Sequence, residues 1–178
     1  MDSNERPPFI THWRNIERPD EPHYSGRDER MSIGAPFGRA FSLSKLGIHH
    51  ERLPAGRRTS LPHAESAEEE FVFVIEGYPD VWIDGHLHRL APGDGVGFPA
   101  GTGIAHNFIN NTEEEVRLLV VGERHKPENR IHYPLNPERK ELIDDWWDDW
   151  PKRPLGPHDG LPHRIRKVRA KRARGQDP

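Results

Sequence analysis

Four side chains between Leu61 and Asn111 have the types and spacing of a reactive centre: His63, Glu65, Glu70 and His106. In an extended strand, alternate residues project from the same face, so His63 and Glu65 of His63-Ala64-Glu65 point the same way and can chelate together. Glu70 opens the apolar run Phe71-Val72-Phe73-Val74-Ile75, and His106 opens Asn107-Phe108-Ile109-Asn110. The chain has no cysteine, so disulfide and thiolate chemistry are excluded and a metal must be held by nitrogen and oxygen. Two imidazoles and two carboxylates suit one divalent ion, zinc first, with manganese, iron or nickel as alternatives. An octahedral ion on four protein ligands keeps two positions for water or a bidentate oxygen ligand. Such an ion would polarise a carbonyl or activate water, and iron would add dioxygen chemistry.

The elements that must hold these groups read as strands. Gly47 to Leu53 suits a strand ended by Pro54-Ala55-Gly56. Within it, His49 and His50 face opposite sides, so they cannot chelate together, and at least one is expected to be exposed. From Glu70, alternation sets Val72 and Val74 on one face and Phe71, Phe73 and Ile75 on the other. A strand apolar on both faces lies inside a sandwich or at an interface. Asp84-Gly85 between Val81-Trp82-Ile83 and His86-Leu87-His88 predicts a two-residue type I′ hairpin, because both central positions need φ > 0. His86 and His88 are expected on a solvated face. Val116 to Gly122 is a final apolar strand, and Asn129 to Pro134 an edge pairing. The glycine clusters Gly93-Asp94-Gly95 and Gly101-Thr102-Gly103 precede no helix, which excludes a dinucleotide-binding fold.

Gly56, His63, Glu65, Glu70 and Gly77, followed by Gly93, Pro99, Gly101, His106 and Asn110, resemble the two motifs of the cupin superfamily. Glu65 stands where the family has its second histidine, and the turn before His106 is longer. The resemblance implies an all-β fold, a small antiparallel β-barrel, the double-stranded β-helix or jelly roll of cupins, to which the flanking residues add an irregular N-terminal arm and a short C-terminal helix. It implies inward residues converging on a cavity. His63, Glu65, Glu70 and His106 would be the metal ligands there, and Val72, Val74, Phe98, Phe108 and Asn110 the pocket for a small-molecule ligand. The expected function is a metal-dependent enzyme acting on a small oxygenated organic molecule as isomerase, hydrolase, lyase or oxygenase. A non-catalytic binding barrel and a metal-free acid/base site built on His63 and a carboxylate are the alternatives.

Apolar residues make up 33% and charged residues 31% of 178 positions, with 18 Pro and 16 Gly, so one domain with long loops and extensions is expected. The divisions are an arm over 1–35 anchored by Phe9, Ile10 and Trp13, a barrel over 36–134, a helix and ordered tail over 135–163, and a basic, disordered tail over 164–178. The helix is read from Asn136-Pro137 to Pro151, with Leu142, Ile143, Trp146, Trp147 and Trp150 as a packing stripe. The arm and this stripe suggest a homodimer. A net charge of −3 and a tail without interleaved aromatics make nucleic acid an unlikely partner. The absence of a signal-like h-region or a membrane-length apolar run makes cytoplasmic location, with no membrane, the expectation.

Overall fold

Alternating apolar residues between Gly-, Pro- and Asp-containing turns form antiparallel strands in the computed structural model, which describes residues 6–124 and 126–175. In chain order these are β1 (Ile33–Pro36), β2 (Leu46–Leu53), β3 (Ala64–Glu65), β4 (Glu70–Glu76), β5 (Asp80–Ile83), β6 (His86–Arg89), β7 (Gly95–Phe98), β8 (His106–Ile109), β9 (Val116–Glu123) and β10 (Ile131–His132). A short helix, α1 (Phe37–Ala40), follows β1.

The larger sheet has the order β1-β2-β9-β4-β7 and the smaller β6-β5-β8, with β10-β3 as a separate pair. Isolated pairings of Arg58 with Ile109 and of His63 with His106 extend the free edge of β8. Leu53, Val72, Val74, Val81, Phe98, Phe108, Val116 and Leu118, drawn from both sheets, form the buried core. Each such side chain contributes roughly 1.5–3 kcal/mol by leaving water. The sheets remain separate ladders, so the fold is a jelly-roll sandwich rather than a barrel closed by continuous hydrogen bonding.

The hairpin after β5 forms as expected, with Asp84 at φ 45° and Gly85 at φ 90°. Gly85 is required twice over, because a Cβ there would come within 2.3 Å of the Gly156 backbone nitrogen. Gly156 N donates to Asp84 O at 2.7 Å, which binds the C-terminal segment to the hairpin. His86 and His88 are exposed.

The C-terminal region differs from the sequence expectation. Pro137–Glu141 is a 3-10 turn, and the residues to Trp150 form no helix. Asp145 O accepts from Ile131 N at 2.7 Å, and Trp147 N donates to Ile131 O at 2.9 Å. The open edge of β10 takes the hydrogen bonds a helix would have used, and four aspartates toward the helix C-terminus would oppose its dipole. The tryptophans pack as expected: Trp147 is buried with Trp82 and Ile109 on the outer face of the smaller sheet. Trp82 Nε1 donates to His158 O at 2.8 Å. The helix lies instead in the basic stretch expected to be disordered, α2 (His163–Ala173), where arginine and lysine are good helix formers.

In the arm, Phe9 and Ile10 are exposed rather than anchoring. Trp13 alone of the three holds, stacked on His50 at 4.5 Å. His50 is thereby buried and His49 half-buried, so neither histidine is exposed. Arm and tail meet at Arg58, which is 3% exposed. It donates to Glu29 Oε1 and Oε2 at 2.8 and 2.7 Å and to Gly160 O at 3.0 Å. Among the described residues, no helix is long and apolar enough to cross a membrane.

Arg58→Ala leaves the Glu29 carboxylate without its partner and the Gly160 carbonyl with only the longer bond from Asn107 Nδ2, and is expected to cost roughly 3–5 kcal/mol in urea unfolding. Arg57→Ala, which breaks the more solvated pair with Asp20, should cost about 1 kcal/mol or less. Equal losses from the two would show that Arg58 is not the clamp.

Candidate functional site

Backbone pairing brings the two imidazoles together. His106 N donates to His63 O at 2.9 Å and His63 N donates to His106 O at 3.2 Å. Residues opposed in an antiparallel pair project from one face, and the ring centroids lie 5.1 Å apart. Each ring is turned by a carbonyl two residues earlier: His63 Nδ1 lies 2.9 Å from Leu61 O, and His106 Nδ1 3.2 Å from Ile104 O. A carbonyl only accepts, so the proton of each neutral ring sits on Nδ1 and Nε2 is left as a lone pair. The rings therefore offer two bases. His106 is fixed further by Phe98, stacked flat on it at 3.5 Å. Its Nε2 is buried without a hydrogen-bond partner, 3.4 Å from Glu70 Oε1.

Glu70 reaches this point as the first residue of β4, opposite Phe98 of β7 and Gly122 of β9. His63, Glu70, Val72, His106 and Phe108 line a cavity of about 100 Å³ together with Glu51, Thr59 and Ser60. Glu51 comes from β2, and its Oε2 accepts from Ser32 Oγ at 2.5 Å. Above the cavity opens a second space of about 220 Å³ that shares Glu51, Glu70 and Val120 and is also lined by His49 and Glu65.

Burial separates the protonation states of these groups. The Glu51 carboxyl is pushed up to about 7 by burial, with the Glu70 charge adding to it. Burial and the charges of Glu68 and Glu70 raise Glu65 to about 8. His63 is lowered to about 4 by burial and then by His106. Burial alone would raise Glu70, but His106, His63 and His49 outweigh it and hold the carboxyl below the ordinary range. The cavity thus combines a charged carboxylate, a carboxyl that keeps its proton near neutrality, and the unprotonated ring of His63, with His106 Nε2 3.4 Å from the carboxylate.

The structure brings together His63, Glu70, His106, Val72 and Phe108 from the expected set. Glu65 stands at the mouth rather than in the inner cavity, and Phe98 presents its ring to His106. Val74 is fully buried core. Asn110 lies away from the cavity, where Nδ2 donates to Leu53 O and Glu114 O and Oδ1 accepts from Thr112. The donors have the chemistry of a divalent-ion site. Among the described residues, however, no three His, Asp or Glu side chains converge closely enough to hold an ion, so the four-donor set does not fit one in this geometry. Sequence reasoning missed Glu51 and His49. The signal was present in their spacing of two, which puts both on one face of β2, whereas the eye is drawn to the adjacent His49-His50.

A family described as the Cupin domain matches residues 49–122, from β2 into β9. Residues 49–122 are a cupin domain. A sugar phosphate isomerase of the cupin superfamily from Silicibacter pomeroyi is 36% identical with TM-score 0.55, over 57% of this chain and 64% of that one. A protein provisionally assigned as a sugar phosphate isomerase, from Acidithiobacillus ferrooxidans, is 31% identical with TM-score 0.55, over 58% and 65%. This chain thus spans less than two thirds of either relative. The polyketide cyclase RemF from Streptomyces resistomycificus shares the fold, with TM-score 0.56 over 77% of this chain and 94% of that one, at 16% identity. No curated protein matches the chain.

Glu65 keeps its proton to about pH 8 in the folded cupin domain but only to about 4.5 when exposed. The folded state therefore holds an extra proton between those values, and stability falls as pH rises through that window. Glu65→Gln should flatten this fall in the urea midpoint, leaving a shallower slope from Glu51 that ends near pH 7. A variant profile parallel to the parent's would remove Glu65 as the source.

Proposed function

We propose that the cupin domain is the catalytic part of an isomerase that moves a proton on a small polyhydroxylated carbonyl compound. The observation that carries this is the buried, partnerless Nε2 of His106 beside Glu70, in one cavity with the proton-holding carboxyl of Glu51. His106 Nε2 takes the proton from the carbon next to the carbonyl, and the C–H electron pair becomes the double bond of an enediol. Glu51 gives its proton to the carbonyl oxygen as that bond forms. Glu70, 3.4 Å away, stabilises the imidazolium; return of that proton to the neighbouring carbon, while the Glu51 carboxylate takes the proton of the adjacent hydroxyl as it becomes the new carbonyl, completes the exchange and restores both groups. His63, held neutral by burial, fixes the geometry and accepts a substrate hydroxyl. The 36% identity to a sugar phosphate isomerase supports this class of reaction.

A second reading places one divalent ion, zinc, manganese, iron or nickel, on His63, Glu65, Glu70 and His106. It rests on the partnerless His106 Nε2 alone, and no step above uses it.

His106→Ala and Glu70→Gln should each lower kcat by about 10²–10⁴-fold in aldose–ketose interconversion followed by NMR, with KM changed much less. Retained turnover in His106→Ala would sink the proton-transfer reading. Elemental analysis of tag-free protein decides the second: stoichiometric metal in the parent that is lost in His106→Ala would put an ion in place of Glu51 as the electrophile.

We also propose that two copies pair through the larger sheet. Phe71, Phe73 and Ile75 project from its outer face at 44%, 37% and 43% exposure, an apolar stripe that a single chain leaves in water. Sedimentation at micromolar concentration should give a dimer for the parent and a monomer for Phe73→Asp, and a monomeric parent would remove the interface.

A further inference from the structure

Seven of the chain's 26 lysine and arginine residues fall within 164–174, and no aspartate or glutamate stands among them. α2 and its C-cap carry them all. The rest of the chain is strongly acidic as a consequence, because its 29 Asp and Glu leave a net charge of −3 even with this segment included. The whole-chain charge that told against nucleic acid is therefore an average over two regions of opposite sign.

The helix is rooted but not covered. His163 N donates to Asn111 Oδ1 at 2.8 Å, and the Arg164 stem lies on Gly56, where a Cβ would come within 2.9 Å of the Arg164 Cδ. Beyond this root, residues 166–175 are all exposed, and Ile165 is half-buried. Arg166 pairs with Asp159 at 3.3 Å, whereas Arg164, Lys167, Arg169, Lys171 and Arg174 have no carboxylate within ion-pair distance among the described residues. Like charges three and four apart, such as Lys167 and Lys171, repel one another, so outside counter-charge stabilises α2. At 3.6 residues per turn the cations surround the helix, with no gap wider than about 80°.

A partner that supplies negative charge on every side matches this distribution. A membrane surface meets one face of a helix and requires an apolar stripe there, and on α2 the exposed large apolar side chain is Val168 alone. An acidic protein surface also meets one face and would leave the opposite cations in water. The major groove of B-form DNA, about 12 Å wide, admits a helix about 10–12 Å across between two walls of phosphate. The corresponding groove of duplex RNA is too deep and narrow for this.

We infer that α2 is a docking element for duplex DNA, lying in the major groove with its cations toward the phosphates of both strands. The acidic remainder of the chain is repelled by the duplex, so the helix is the part that engages. Recognition is of phosphate, and affinity follows charge rather than base sequence. The inference does not depend on the reaction proposed for the cavity.

Fluorescence anisotropy of a labelled DNA duplex of two helical turns, titrated with the full chain, tests it. A Kd of about 10⁻⁵ M at roughly 150 mM salt is expected, and about five phosphate contacts would weaken binding about 500-fold between 50 and 200 mM salt. Replacing Arg169, Lys171 and Arg174 together by Gln, which sustains a helix about as well, should weaken binding at least about tenfold and reduce that salt effect to about tenfold. The same sequence as an RNA duplex, and vesicles rich in phosphatidylserine, should bind more weakly than the DNA. No binding at about 10⁻⁴ M protein and 50 mM salt, a triple variant within about twofold of the parent, or RNA or vesicles bound as tightly as DNA would each overturn the inference.

Discussion

The reciprocal backbone hydrogen bonds between His63 and His106 are the constraint from which the site follows. They bind a segment with no long strand of its own to the edge of β8, and they set two imidazoles on one face at a separation the backbone alone determines. The carbonyls of Leu61 and Ile104 then rotate both rings so that Nε2, not Nδ1, is free. Nothing in this requires a long-range side-chain contact. Glu70 needs only the register of β4 between β7 and β9 to meet the rings, so strand pairing positions the whole group.

Around that frame, burial assigns roles to chemically identical groups. Glu51 and Glu70 are both deeply placed carboxyls, yet Glu70 faces histidines, while burial and the Glu70 charge act on Glu51 and the Ser32 hydroxyl only partly offsets them. One is held ionised and the other holds its proton. Ser32 lies just before β1, so the proton inventory of the cavity depends on a contact made by the N-terminal arm.

Much of this was legible in the residues themselves. Period-two alternation in Glu70 to Ile75 and the Asp84-Gly85 turn read directly onto the fold, because both are dictated by local backbone geometry. The paired histidines and Glu70 could be read from the motif spacing. What could not be read depended on competition between distant segments. The stretch from Asn136 to Trp150 carries a helical pattern, yet the unpaired edge of β10 outbid the helix for its backbone groups. Glu65 and Asn110 shared the motif pattern with the true cavity residues, but one stops at the mouth and the other satisfies backbone groups around Leu53 and Glu114. Glu51 was hidden beside a conspicuous histidine pair, and its role depends on being buried next to Glu70, which spacing alone does not reveal.

The guanidinium of Arg58 joins Glu29 of the arm to Gly160 of the tail inside the fold. Loss of the arm would leave a buried cation without its carboxylate, whereas loss of the tail would remove one carbonyl acceptor and keep the ion pair. The two extensions are therefore unequal partners: the arm carries the charge balance of the contact, and the tail only completes the donor geometry of a guanidinium already neutralised.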